Sequence, residues 1–314
     1  MRVSLGRRIY RKYGILILAA VLFIILSIFG EGFFSTSNMI NIMRQISVYA
    51  ILGFGMTFVM ISGCIDLSVG SVLCLSGCLS AVAIQKGVPM WWAVILSLLV
   101  GCLCGLFNGF CIAKLKVPFF ITTAGTMYAA AGIALVITKE NPISLPASYQ
   151  IFGGKTLFGV IPHQFIIAAG FFVICFIILN HTKMGRYTYA IGSNERTAHL
   201  SGINVDRYRI LIFVLNGLCA ALAGVIVASR LRAGNPVIGS GYEIYAVAAA
   251  AIGGTSLAGG EGSLLKTIIG AFILTIIGIG LNILGIATST QKIIIGLIMI
   301  AVVALDMWDK KSSS

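Results

Sequence analysis

The stretch NHTKMGRYTYAIGSNERTAHLSGINVDRYR, residues Asn180 to Arg209, is polar and basic and lies between long apolar runs. A segment of this kind in a lipid-soluble chain belongs in the water on one side of a bilayer, so the apolar runs that flank it become membrane-spanning helices. Composition agrees: 59% of the residues are hydrophobic and 10% are charged, and the mean hydropathy is +1.04. Such a chain cannot be a water-exposed globule. With about 20 apolar residues needed per crossing, the 314 residues leave little chain for a soluble domain. The expected organisation is a basic cytoplasmic leader over 1–14, a single transmembrane domain over 15–307 with a cytoplasmic loop at 181–209, and a short cytoplasmic tail at 308–314.

Working outward from the basic loop, apolar spans are expected near residues 15–34, 46–63, 68–86, 91–113, 118–138, 163–180, 210–229, 243–258, 264–286 and 290–307. The fold class is therefore all-α and polytopic, with about ten crossings and both termini cytoplasmic. The formal charge of +13 follows the same topology and does not call for nucleic acid. Arg2, Arg7, Arg8, Arg11, Lys12, Lys114, Lys116, Lys183, Arg186, Arg196, Arg207, Arg209, Lys266, Lys310 and Lys311 fall on the cytosolic side, which places 15 of 22 basic residues there. Trp91, Trp92 and Trp308 fall at membrane interfaces, where amphipathic rings are favoured.

Two glycine-rich interruptions punctuate the spans. One runs through Gly63, Asp66, Ser68 and Gly70, and the other through Gly253, Gly254, Gly259 and Gly260. Backbone that leaves the helix at membrane depth must be buried in protein or line a wet cavity, so the 243–258 span is expected to be short or re-entrant. A pair of such breaks suits a duplicated transporter core. Asp66 is either a helix cap for the span near Val69 or a transport residue, and Glu243 carries the same two readings. Asn108, Asn216 and Asn282 are polar residues in spans that either line a path or bond a neighbouring helix. Gly101, Gly105 and Gly109, and later Ala220, Gly224 and Ala228, make small-residue faces for close helix packing.

Several chemistries are disfavoured. The eight cysteines lie mostly in apolar spans without metal-ligand spacing, and His163, His181 and His199 are scattered at loop ends, so no metal site is expected. Gly153-Gly154-Lys155-Thr156 imitates the end of a phosphate-binding loop, but Tyr149 stands where the first glycine belongs. The chain has no ATP site of its own. No nucleophile–base pair marks it as an enzyme.

The run Gly55-Met56-Thr57-Phe58-Val59-Met60-Ile61-Ser62-Gly63-Cys64-Ile65-Asp66-Leu67-Ser68-Val69-Gly70-Ser71 resembles the signature of permease subunits of ribose-type ABC sugar importers. Gly185-Arg186-Tyr187 through Ile203, and Gly241-Tyr242-Glu243 through Gly260, resemble the same family, so the likeness runs over roughly residues 33 to 305. It implies a bacterial inner-membrane permease that works with a second permease chain, cytoplasmic ATPase modules that bind ATP and Mg, and an extracytoplasmic sugar-binding protein. It also implies that Gly192, Ser193, Asn194, Glu195, Arg196, Ala198, Leu200, Ser201 and Gly202 form the short helix that docks on the ATPase. The residues agree unaided, since Ser193 or Asn194 can cap a short helix while Ala198 and Leu200 offer apolar contacts. Cys64, Ala124 and Tyr245 depart from the family pattern, and Tyr245 stands where ribose permeases often carry an acid. The cargo is left open between pentoses, hexoses and related solutes. An ion-coupled carrier or facilitator explains the helices equally well, but few intramembrane acids are present to run an ion cycle.

Overall fold

The computed structural model describes residues 16–17, 19–28, 30 and 32–311; the leader at 1–14 and residues 312–314 lie outside the described residues. Helices carry the architecture. They are α1 (Ala19–Ile28), α2 (Thr36–Ile61), α3 (Val69–Gln85), α4 (Met90–Ala113), α5 (Phe119–Thr138), α6 (His163–His181), α7 (Lys183–Ser193), α8 (Glu195–Leu200), α9 (Val205–Leu231), α10 (Tyr242–Ile252), α11 (Leu264–Ile283) and α12 (Thr288–Lys311). Two-residue strands only tie loops: β1 (Ile143–Ser144) pairs antiparallel with β4 (Ala233–Gly234), and β2 (Thr156–Leu157) with β3 (Ile161–Pro162).

Local chemistry sets the helix starts. Ser35 caps α2 by accepting the Asn38 amide, while Pro89, Pro118 and Pro162 precede α4, α5 and α6. A proline there brings no N–H of its own that needs a partner. By length and composition α2, α4, α5, α6, α9 and α11 are each able to cross a membrane. Of these, α2 and α9 are the axis of the fold, 78% and 72% buried over their most apolar windows, whereas α4, α5 and α6 are 22–28% buried and turn most of their surface outward. The small-residue faces do the packing expected of them. A Cβ on Gly101 or Gly105 would overlap the backbone carbonyl of Gly217 or Phe213 in α9, and one on Gly224 would overlap that of Leu73 in α3.

The segment expected at 243–258 to be short or re-entrant is a short helix over Tyr242–Ile252, ending before the expected boundary. Helix α10 holds only 11 residues, about 16 Å at 1.5 Å per residue, roughly half a bilayer core. The chain before it is not helical. From β4 it runs alongside α3, with Gly234 against Cys78 and Ala81, the Asn235 and Pro236 carbonyls against the Cys74 thiol, and Gly239 against Gly70. Gly70, Cys74 and Cys78 recur every four residues along one face of α3, and only small side chains there admit the close approach of this turning backbone. Gly234, Pro236 and Gly239 of this segment are buried against protein, while Val237 and Ser240 are exposed.

Helix α2 is longer than the span expected at 46–63, because it begins at Thr36. Helix α12 likewise continues beyond the 307 boundary, to Lys311.

Candidate functional site

The first break is built around Asp66, which is 1% exposed. Its Oδ1 accepts the Ser68 amide at 2.8 Å and the Ser68 hydroxyl at 2.6 Å, and its Oδ2 accepts the Asn216 side-chain amide of α9 at 2.9 Å. Asn108 of α4 donates to the Ser68 hydroxyl at 3.0 Å and accepts from Thr126 of α5 at 2.5 Å. One carboxylate thus joins the α2–α3 turn to three other helices. Asn108 and Asn216 are wholly buried in this network, where each bonds a neighbouring element. Asp66 serves its own turn and the neighbouring helices, and Ser68, at the cap position of α3, makes no side-chain cap bond.

Glu243 begins α10, where its Oε1 accepts the Gly241 amide at 3.0 Å. Its other oxygen lies so close to Gly70 that a Cβ there would overlap both it and the Gly239 carbonyl. Gly70 is the point at which the non-helical segment, α10 and α3 meet.

A cavity of about 730 Å³ opens among α2, α9, α10, α11 and α12. Asn38, Asn41, Gln45 and Tyr49 form one stripe of α2, facing Thr275 and Asn282 of α11, Gln291 of α12 and Tyr245 of α10. Arg44 and Arg230 complete the polar wall. Tyr49 and Tyr245 stack with ring centroids 4.5 Å apart and planes 9° from parallel. Arg230 donates to Gln45 at 3.2 Å, Arg44 to the Gly154 carbonyl at 3.2 Å, and Gln291 to Asn282 at 2.7 Å. Amides, phenols and an aromatic stack bind neutral polyhydroxylated solutes through hydrogen bonds and flat apolar contact. Of the residues singled out as pathway candidates, Asn282 lies here. Arg44, Gln45, Tyr49 and Arg230 were not singled out, although 38, 41, 45 and 49 share one helical face. That polar stripe was the available signal. The imitation phosphate loop ends up as a fastening, with the Gly154 carbonyl receiving Arg44.

At the other end lies the basic loop. Asn194 caps α8, accepting the Thr197 amide at 2.8 Å. Glu195 makes a bidentate pair with Arg209 of α9 at 2.9 and 3.1 Å, and this guanidinium holds the Glu195 carboxyl below its ordinary range. Lys114 and Lys116 each reach Asp206 at 3.0 Å. The segment is thereby clamped to α9 and to the α4–α5 turn, while Ser193, Asn194, Glu195, Arg196, His199, Ser201 and Gly202 stay on the surface and Leu200 is 79% exposed. Ala198 does not offer the outward apolar contact expected of it. It is 4% exposed and packs with Ile191 and Val205, because the short helix needs one small residue to seat it on α7 and α9.

A bundle of apolar helices with two breaks, a polar cavity and a clamped basic loop is the build of a membrane transport subunit. The chain belongs to the family described as branched-chain amino acid transport system / permease component, which matches residues 38–303. Among its relatives, the ribose import permease protein RbsC of Bacillus subtilis (strain 168) is 42% identical over 97% of this chain and 95% of its own. The L-arabinose transport system permease protein AraH of Escherichia coli (strain K12) is 39% identical over 97% and 93%, and the D-allose transport system permease protein AlsC of the same strain 38% over 94% and 91%. The resemblance to ribose-type permeases is borne out. A solved chain of PsaBC from Streptococcus pneumoniae in complex with Fab shares the fold at a TM-score of 0.52 and 14% identity, covering 88% of this chain and 93% of that one.

Proposed function

We propose that this chain is the permease subunit of an ATP-driven importer of a monosaccharide in a bacterial cytoplasmic membrane. It crosses the membrane about ten times with both ends in the cytosol. A second permease chain, the same or similar, faces it. A cytoplasmic ATPase that holds ATP and Mg docks on α8 and its flanks, and an extracytoplasmic binding protein delivers the sugar. The chain is the path and not the enzyme.

The observation that carries this reading is the cavity wall of Asn38, Asn41, Gln45, Tyr49, Tyr245 and Asn282, with Arg44 and Arg230 bonded to Gly154 and Gln45 beside them and no aspartate or glutamate among the described lining residues. It suits a neutral polyol, and the relatives at 38–42% identity are named for ribose, L-arabinose and D-allose. An ion-coupled carrier would need titrating acids at the path, and Asp66 is already committed to three hydrogen bonds, from the Ser68 amide and hydroxyl and from Asn216.

ATP binding would close the ATPase pair and move α8, opening the path outward for the sugar; hydrolysis would reset it. The test is reconstitution of the chain with its co-purifying ATPase and binding protein, followed by uptake of labelled ribose, arabinose and allose. Uptake should require ATP and survive collapse of the membrane potential. A chain that transports alone on an ion gradient would refute the reading. Within the complex, replacing Glu195 and Leu200 together should abolish sugar-stimulated ATP hydrolysis, and unchanged stimulation would remove α8 from the docking surface.

A further inference from the structure

The end of α7 lies where the two breaks meet. The Gly260 amide donates to the Ile61 carbonyl at 2.8 Å, so the second break is bonded to the end of α2, beside the first break. Gly192 sits over that bond. A Cβ there would overlap the Ile61 carbonyl oxygen and stand 2.6 Å from the Gly260 nitrogen. On the opposite side, a Cβ on Gly259 would stand 2.8 Å from the Gly192 carbonyl oxygen and 3.0 Å from the Cα of Gly63. Three residues before Gly192, the Tyr189 hydroxyl donates to the Gly262 carbonyl at 2.8 Å. Three segments distant in sequence therefore touch backbone to backbone, too closely for a side chain to intervene.

We infer that the C-terminal end of α7 is a clasp that ties both breaks to the docking segment, with Gly192 and Tyr189 as positioning residues for transport. The inference rests on the reading of α8 as the ATPase contact. Side chains in contact can swivel and absorb a displacement, but close-packed backbones pass it on. A shift of α7 and α8 moves residues 253–263, and these carry α10. Helix α10 is short, leads at its other end into the non-helical segment along α3 and packs on α11, where a Cβ on Gly270 would overlap the Ala249 carbonyl, so it carries the displacement together with α11. Tyr245 on α10 stacks on Tyr49 in the cavity. The clasp thus connects the cytosolic loop to the cavity wall through one short helix. Gly192 faces the breaks in this arrangement and is not an outward docking contact.

The experiment uses the assembled complex in lipid vesicles and measures hydrogen–deuterium exchange with and without a non-hydrolysable ATP analogue, alongside ATP-driven uptake of labelled ribose, arabinose or allose. In the wild type the nucleotide should alter exchange at both 195–203 and 253–263. In Gly192→Ala the response at 195–203 and ATPase co-purification should persist, the response at 253–263 should vanish, and uptake should fall about tenfold. Tyr189→Phe adds no volume and should cut uptake about threefold by removing one hydrogen bond. A Gly192→Ala complex that keeps the 253–263 response, or a Tyr189→Phe complex with wild-type uptake and response, would overturn the clasp. If Gly192→Ala does not assemble, Tyr189→Phe alone decides. Absence of any response at 195–203 in the wild type would remove the docking reading, and the clasp with it, before a substitution is made.

Discussion

Between α2 and α3 the chain is fastened by side chains: Asp66, Ser68, Asn108, Asn216 and Thr126 share a buried network that reaches α4, α5 and α9. Between α10 and α11 it is fastened by backbone, through Gly260 on Ile61, Gly259 against Gly192 and the Gly262 carbonyl under Tyr189. Yet both helices end alike. At Gly63 and at Gly254 the chain turns left-handed, φ +80° and +78°, and the next amide, of Cys64 or Thr255, bonds back five residues to Val59 or Ala250. The same ending closes α3 at Gly87, α8 at Gly202 and α11 at Gly285, so it is a general stop in this chain and does not by itself mark a duplication. What distinguishes the breaks is their support. A carboxylate shared among helices makes a fixed frame, while the second break rests on close backbone contacts with the end of α7 and the end of α2.

The largest effect should come from Asp66→Ala. It strands the Ser68 amide, the Ser68 hydroxyl and the Asn216 amide, each at a cost of about 1–3 kcal/mol, and should lower the thermal midpoint of the detergent-solubilised protein more than any other substitution named here. An unchanged midpoint would end the idea of a side-chain frame. Next is Thr267→Val, which removes the buried hydroxyl pair between Thr57 and Thr267 at 2.7 Å. The loss should be about 1 kcal/mol in the same melt, and it tests how firmly the α11 side of the second break is tied to α2.

The third prediction concerns pH. Glu195 is held below its ordinary value of 4.5, chiefly by the Arg209 hydrogen bonds. A lowered carboxyl contributes stability that is present above 4.5 and is lost as pH falls through the lowered value. Protection of the α8 amides, corrected for intrinsic exchange, should therefore stay flat from neutrality down to about pH 5 and weaken only below the ordinary glutamate range. Arg209→Lys keeps the charge but cannot reproduce the bidentate geometry, so it should lower that protection at neutral pH. The smallest effect belongs to Lys114→Ala: both cations on Asp206 are more than half exposed and Lys116 remains, so the change in stability should stay within about 0.5 kcal/mol.

Much of the fold followed from local pattern. The apolar runs of α4, α5, α6 and α11 are long and unbroken, so their positions were expected within a few residues, and the small-residue faces of α4 and α9 do pack closely, the first on α9 and the second on α3. The start of α2 was missed because Asn38, Asn41, Arg44 and Gln45 look like the end of a loop when hydropathy is averaged. Taken at 3.6 residues per turn they are the wet face of a helix. The capping asparagine at 194 was among the expected residues, since a cap needs only its own next turn. The partner of Glu195 was not, because Arg209 lies fourteen residues on and across a turn.

Three asparagines mark the limit most clearly. Composition and periodicity place Asn108, Asn216 and Asn282 alike, as polar residues within apolar helices. Only packing separates them, since α3 brings Ser68 and its turn brings Asp66 to the first two, while α11 leaves the third at a cavity. The chain by its own residues establishes a multi-pass helical transporter, its family and the sites of its two breaks, because hydrophobic run length, charge placement and glycine act locally. Which polar groups are consumed inside and which are left facing a solute depends on distant helices meeting, and no local property of the chain carries that information.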